Sequence, residues 1–333
     1  MPTNYWTGAT DADWNTAGNW SIAVPVDGED VIIDGRDTTA VDITTVASQG
    51  AIDLASLHIM SSFANNIGTA AAPLEIEVSG TLLIEGSGSY YIQSGSATLG
   101  TNGSIDRLIM NTSGNVYLSS FANDGANTTD FTKVIVNSGT LTVYGKAEAV
   151  ATSGAEAGTV IGTLVLAPTF GRSGGVTVTI GEQCFKANGN VYTNIIMQGG
   201  SLTTHSAMLT VDQFGGTLTQ GSTAYTMIAD DDGTTTLNLY GGTFKWQPSV
   251  MAGGVRTTAS TSPQISTANF YGGTFDASGM LETLTSAPTL VQLWQHAGST
   301  VNLDNGYANF SVSTFKKYGG TLLTSAGQAL SLT

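Results

Sequence analysis

The residues able to do chemistry are few and widely spaced in this chain of 333 residues. His58, His205 and His296 are its three histidines. His58 sits on the solvent side of a strand-like Leu57-His58-Ile59, and the other two stand beside glycine corners. Cys184 is the one cysteine, which excludes an intrachain disulfide and a multi-cysteine zinc site; it reads as a buried thiol. Asp230-Asp231-Asp232-Gly233 is the only run of acids. It lacks the alternating spacing of a calcium loop, and adjacent acids on a turn face solvent. Asp212, Asp276 and Asp304 lie near corners. Polysaccharide-cutting enzymes need two carboxylates flanking one bond, and nothing in this spacing pairs any two with a positioned base. There is no Gly-x-Ser-x-Gly elbow, phosphate loop or dinucleotide fingerprint. The expectation is no catalytic residue, no metal, no cofactor and no enzyme.

Charge points the same way. The formal net charge is −15, from 25 acidic and 10 basic residues, and no basic cluster exceeds Lys316-Lys317. A nucleic-acid partner therefore has no electrostatic footprint to bind. No run of 18 apolar residues occurs, so no membrane-spanning helix is expected. Charged residues make up 11% and apolar residues 41%, enough for a core and unlike disorder, which combines low hydrophobicity with high charge. Glycine is 42 of 333 residues, roughly double the usual ~7%.

Those glycines reveal the elements that must position everything else. Tyr240-Gly241-Gly242-Thr243-Phe244 returns as Tyr271-Gly272-Gly273-Thr274-Phe275 and Tyr318-Gly319-Gly320-Thr321-Leu322. Close variants are Phe214-Gly215-Gly216-Thr217-Leu218 and Gln198-Gly199-Gly200-Ser201-Leu202. Looser copies surround Gly80, Gly114, Gly139 and Gly298. Each copy separates two short runs that alternate apolar and polar residues, the period of a strand. The unit reads as strand, glycine corner, strand, with Gly200, Gly216, Gly242, Gly273 and Gly320 at the corners, because glycine takes positive φ without a Cβ clash. Most intervals between copies fall in the roughly 20–50 residues that mark repeat arrays. The expected fold is all-β: a single-stranded parallel β-helix, or solenoid, of the right-handed form, with roughly nine to twelve coils at ~4.8 Å spacing.

Strict alternation in Leu237-Asn238-Leu239-Tyr240 puts both leucines inside and Tyr240 outside, then Phe244 and Trp246 inside and Lys245 outside. The same phase sets Tyr271 outside. It would bury Lys317 in Phe315-Lys316-Lys317-Tyr318 and Gln213 in Val211-Asp212-Gln213-Phe214 unless a bulge resets it, so the aromatic row is either an external ladder or partly core. Leu74, Ile76 and Val78 face in and Glu75 and Glu77 face water; Ser61 to Pro73 reads as a protruding loop.

Residues 1–35 form a distinct opening, and 36–333 the solenoid. Trp6, Trp14 and Trp20 are three of five tryptophans, in a loop-rich stretch. They suit capping of an exposed solenoid end or contact with a partner, where aromatics are enriched. The N-terminus has no basic region followed by an apolar stretch, so no export signal is expected.

A Trp6-x-Gly8 opening, Asp13-Trp14, Asn19-Trp20-Ser21, and Val24-Pro25 with a Gly28 turn into Val31-x-Ile33 resemble the start of β-helix structural proteins of tailed phages. They also resemble bacterial adhesin and autotransporter-like passengers. The resemblance covers about 60 residues. It implies a structural virion protein: a capsid decoration, or cement, protein on the outer capsid surface. The implied partners are the major capsid protein, bound through Trp6, Trp14 and Trp20, and further copies of the chain, as a homotrimer. The alternative it implies is a tail fibre, receptor-binding spike or surface adhesin that binds polysaccharide.

Overall fold

In the computed structural model the described residues are 3–35, 42–44, 52–95, 103–120, 130–144, 159–169, 175–181, 186–187, 190–191, 193–204, 208–221, 236–247, 264–279, 289–304, 310–324 and 330–332. Cys184, His205 and the Asp230–Asp232 run lie outside them. The one helical element among the described residues is a 3-10 turn at Ala17–Asn19.

The chain is an all-β parallel solenoid. One column of strands runs its whole length. Thr3–Tyr5 pairs with Asp30–Ile33, which pairs with Ile52–Ile59 and so on coil by coil to Leu330–Leu332, every step parallel. A second column starts as single bridges at Ile43 and Ile67, continues in Ser89–Ser94, and stacks Val176–Ile180, Ser201–Thr204, Thr217–Gly221, Thr243–Gln247, Gly273–Asp276, Ser299–Asn302 and Thr321–Leu323 above it. Thirteen pairings join fourteen strands in the first column, more than the glycine motifs suggested. The extra coils are those without a Gly-Gly-Thr corner, such as the one carrying Ile161–Leu166.

Alternation decides the core. Leu237, Leu239, Phe244 and Trp246 are buried, as their phase requires, and Tyr240 is exposed. Each buried residue stacks on its counterpart one coil away: Leu218 on Phe244, Phe244 on Phe275, Phe275 on Val301. Full burial of such a side chain contributes roughly 1.5–3 kcal/mol, so the repeated columns supply the cohesion that disulfides cannot.

Two expectations are corrected. Glu75 is only 3% exposed, because it stacks in register with Gln93 of Ser89–Ser94, which donates to its carboxylate at 3.2 Å. The Ser61–Pro73 stretch does not protrude. Phe63 and Ile67 are buried, Ile67 bridges both Ile43 and Tyr90, and the Tyr90 hydroxyl accepts from the Gly88 N–H and donates to the Phe63 carbonyl. The segment therefore belongs to the early coils of the second column, where Ile43, Ile67 and Tyr90 stack beneath Val116. Burial pushes the Tyr90 phenol up to about 12. Thr3–Tyr5 and Asp30–Ile33 are the first strands of the same sheet.

Candidate functional site

The corner motif builds a surface whose side chains are both exposed and ordered into a pattern. In each coil the residue before Gly-Gly ends a strand, and its N–H donates to the carbonyl of the inward residue one coil below. Phe214 bonds to Met197, Tyr240 to Gln213, Tyr271 to Leu239, His296 to Phe270 and Tyr318 to Gln295, all between 2.7 and 2.9 Å. These bonds fix the five side chains in one line. Phe214 and Tyr240 stack with ring centroids 4.8 Å apart, Tyr240 and Tyr271 at 4.9 Å, Tyr271 and His296 at 4.9 Å, and His296 and Tyr318 at 5.1 Å. Phe214 is 52% exposed and Tyr318 60%. The aromatic row is thus an external ladder, and His296 is one of its rungs.

The corners hold this line because of their glycines. Gly200, Gly216, Gly242, Gly273 and Gly320 all have φ between 71° and 82°. At Gly242 a side chain is excluded twice: by its φ of 74° and by the Gly216 carbonyl oxygen, 2.4 Å from where a Cβ would stand. The coil below is that close because the parallel ladder continues through the corner, with Thr243 N–H donating to the Gly216 carbonyl at 2.9 Å.

A polar column runs beside the rings. Asp212, Asn238, Asn269, Trp294 and Lys316 are in register on successive coils. Asn238 donates to the Asp212 carboxylate at 2.8 Å, and Asn269 donates to the Asn238 side-chain oxygen at 2.8 Å. Lys316 Nζ lies 4.4 Å from the centre of the Trp294 ring. Burial, followed by the Asp212 charge and the neighbouring Tyr271, holds the Tyr240 phenol above its ordinary range. On the other side of the corner Thr217, Thr243, Thr274, Thr300 and Thr321 form a hydroxyl column. A second, shorter ring row, Tyr91, Tyr117 and Tyr144, stands on earlier coils.

The two phase breaks read from the sequence resolve without a bulge. Gln213 and Gln295 point inward and are buried, and their amides turn to the corner. Gln213 donates to the Gly216 and Thr243 carbonyls and Gln295 to that of Thr321. Lys317 follows Gln295 in the same column but is exposed. Among the described residues, the strand above it, Leu330–Leu332, covers residues 310–312.

The remaining candidates are engaged in the lattice of coils. His58 Nε2 lies 2.9 Å from the Glu85 carboxylate on the outer face. Asp276 accepts from Asn302 and from the N–H and hydroxyl of Ser278, and the Asp304 N–H bonds to the Asn302 side chain. Among the described residues no group of three His, Cys, Asp or Glu side chains could hold a metal ion.

Trp6, Trp14 and Trp20 lie elsewhere from where partner contact requires them. They are 0%, 0% and 5% exposed. Trp20 meets Trp6 and Trp14 edge-on at 5.1 and 4.6 Å, and its Nε1 donates to the Trp14 carbonyl at 2.7 Å. Buried Asn19 braces them by donating to Asp11 and the Asp13 carbonyl and accepting from the Thr10 and Asp11 N–H groups. The rings plug the solenoid end. Among the described residues of this end, the large apolar side chains that face solvent are Ile22 and Val26, 54% and 59% exposed. The ladder itself was within reach of sequence reasoning except for His296, whose Ala297-Gly298 corner hides its equivalence to Tyr271.

No protein-family model matches the chain, and no curated protein or solved structure is similar enough to match it.

Proposed function

We propose that this chain is a non-enzymatic structural and binding rod, seated on the outer surface of a tailed-phage capsid as a decoration protein. One observation carries the non-enzymatic reading: the side chains best suited to chemistry are rungs of in-register ladders. Asp212 is bound by Asn238, Asp276 by Asn302 and Ser278, and His296 is stacked between Tyr271 and Tyr318. A general base must reach a substrate proton at hydrogen-bond distance, and such groups are held for the fold instead. The ladder faces are likewise consumed by neighbouring rings, which leaves edges and hydroxyls rather than open platforms for sugar stacking.

The virion placement rests on the resemblance of the opening 60 residues to phage β-helix proteins. The docking end is the N-terminal one, with contact made by Ile22 and Val26 around the tryptophan plug. The test is rebinding of the purified chain to capsids stripped of it. Saturable binding, lost in Ile22→Asp/Val26→Asp while the fold is retained, supports the reading. Binding to host cells or polysaccharide in place of capsids would make it a fibre or adhesin. Release of reducing ends from polysaccharide would overturn the non-enzymatic reading.

A further inference from the structure

We infer that the aromatic ladder and its polar column form a self-complementary contact through which two copies of the chain pair side by side and antiparallel. This inference is independent of the capsid reading.

The ring line is regular, and four of its five rungs, Phe214, Tyr240, Tyr271 and Tyr318, are exposed. Its five rungs repeat at the coil spacing, so they extend roughly 20 Å at ~4.8 Å per coil. Ring faces inside the stack are covered by their neighbours, so an occupant must meet the edges, and to meet all of them it must share their repeat. A second copy of this solenoid has that repeat by construction. A net charge of −15 per chain opposes random association, so a contact between copies has to be neutral or matched in sign.

The charges along the strip supply that match, and they choose the orientation. The polar column begins with a carboxylate, Asp212, and ends with a cation, Lys316, with Asn238, Asn269 and Trp294 between. A two-fold axis crossing the strip at its middle rung reverses one copy on the other. Asp212 then faces the second copy's Lys316 at both ends, and Asn269 meets its own equivalent. In the ring line Phe214 faces Tyr318, Tyr240 faces His296, and Tyr271 meets Tyr271. A Tyr240 hydroxyl opposite a His296 ring nitrogen is a hydrogen-bonding pair. Isologous pairing of this kind makes each off-axis contact twice and closes on itself. It replaces the three-fold assembly suggested by the sequence resemblance with a two-fold one.

The test uses the full chain with Cys184 changed to Ser. Sedimentation equilibrium should give a species of twice 34.2 kDa. Asp212→Lys and Lys316→Asp should each weaken the pair at least tenfold, and the double exchange should return it to within about threefold of the parent. Tyr271→Cys should cross-link to itself under oxidation. Phe214→Cys should not, until Tyr318→Cys is added to the same chain. Melting curves on each variant show whether it is folded, and the cysteine pair does not depend on the charge variants. A monomer, a trimer, a failed rescue by the double exchange, or self-cross-linking of Phe214→Cys alone overturns the inference.

Discussion

Tyr240 and Tyr271 stand one coil apart with ring centroids 4.9 Å apart and planes 8° from parallel, so each covers a face of the other. Stacked aromatic pairs contribute about 0.5–1.5 kcal/mol beyond their buried area. Tyr240 has a ring on either side, Phe214 and Tyr271, whereas Phe214 stacks on Tyr240 at the end of the row. Tyr240→Ala should therefore cost about 1–3 kcal/mol, and Phe214→Ala about half as much, although Phe214 is no less exposed than an interior rung. Urea midpoints of the two variants measure the ordering. Equal losses would mean that the rings stack without stabilising the coil.

The corner glycines separate two penalties. Gly242 and Gly298 both have positive φ, 74° and 91°. A Cβ on Gly242 would meet the Gly216 carbonyl oxygen at 2.4 Å, while one on Gly298 meets nothing within 4 Å. Gly298→Ala should cost only the conformational term, about 1–2 kcal/mol. Gly242→Ala adds a backbone clash inside a parallel ladder and should exceed it by at least about 2 kcal/mol. Thermal melts of the pair are the measurement, and a smaller loss for Gly242→Ala would contradict the closeness of the coils.

Much of this was legible from alternation and glycine spacing alone. Leu237 to Trp246 could be assigned inside or outside residue by residue, because a strand pair around a tight corner keeps its phase. The coil count was less legible, since the sequence between Ile161–Leu166 and Val176–Ile180 carries Gly174-Gly175-Val176 in place of the Gly-Gly-Thr motif. Glu75 and the Phe63–Ile67 segment were misread for one reason: both lie under Ser89–Ser94 in the early coils of the second column, and neither periodicity nor composition reports a side built from isolated bridges and short pairings. The tryptophans show the reverse problem. Loop-rich aromatics look the same in sequence whether they plug an end or meet a partner, and only the edge-on contacts of Trp20 with Trp6 and Trp14 distinguish the two.

Three carboxylates on successive coils give a pH dependence. Asp53 is in register with Glu77, and the Asp53 N–H bonds to the Asp27 carboxylate at 3.1 Å. Burial, then the charges of Asp53 and Asp27, hold the Glu77 carboxyl above its ordinary range. A carboxyl raised in the folded state favours folding only while protonated. Its penalty appears as pH rises above the unfolded value, near 4.3, and is complete above the folded one. Glu77→Gln should therefore raise the melting temperature at pH 7 and give no gain at pH 3. A gain that persists at pH 3 would assign the effect to packing instead of charge.

The N-terminal plug gives the last prediction. Trp14 is fully buried and holds Trp20 through an edge-on contact and its own carbonyl, so Trp14→Ala should cost about 3–5 kcal/mol. Removal of residues 1–20 goes further. It takes away Thr3–Tyr5, the strand that pairs with Asp30–Ile33, and all three rings that cover the end of the core. The edge of Asp30–Ile33 and the buried Val31 and Ile33 would then face water, and an open parallel edge is a template for association. The truncated chain should sediment as aggregates, while Ile22→Asp/Val26→Asp, which changes only exposed residues of the same end, stays soluble with the parent melting temperature. A soluble truncated chain with an unchanged melting curve would show that the plug adds nothing to the solenoid and would return Trp6, Trp14 and Trp20 to a role in binding.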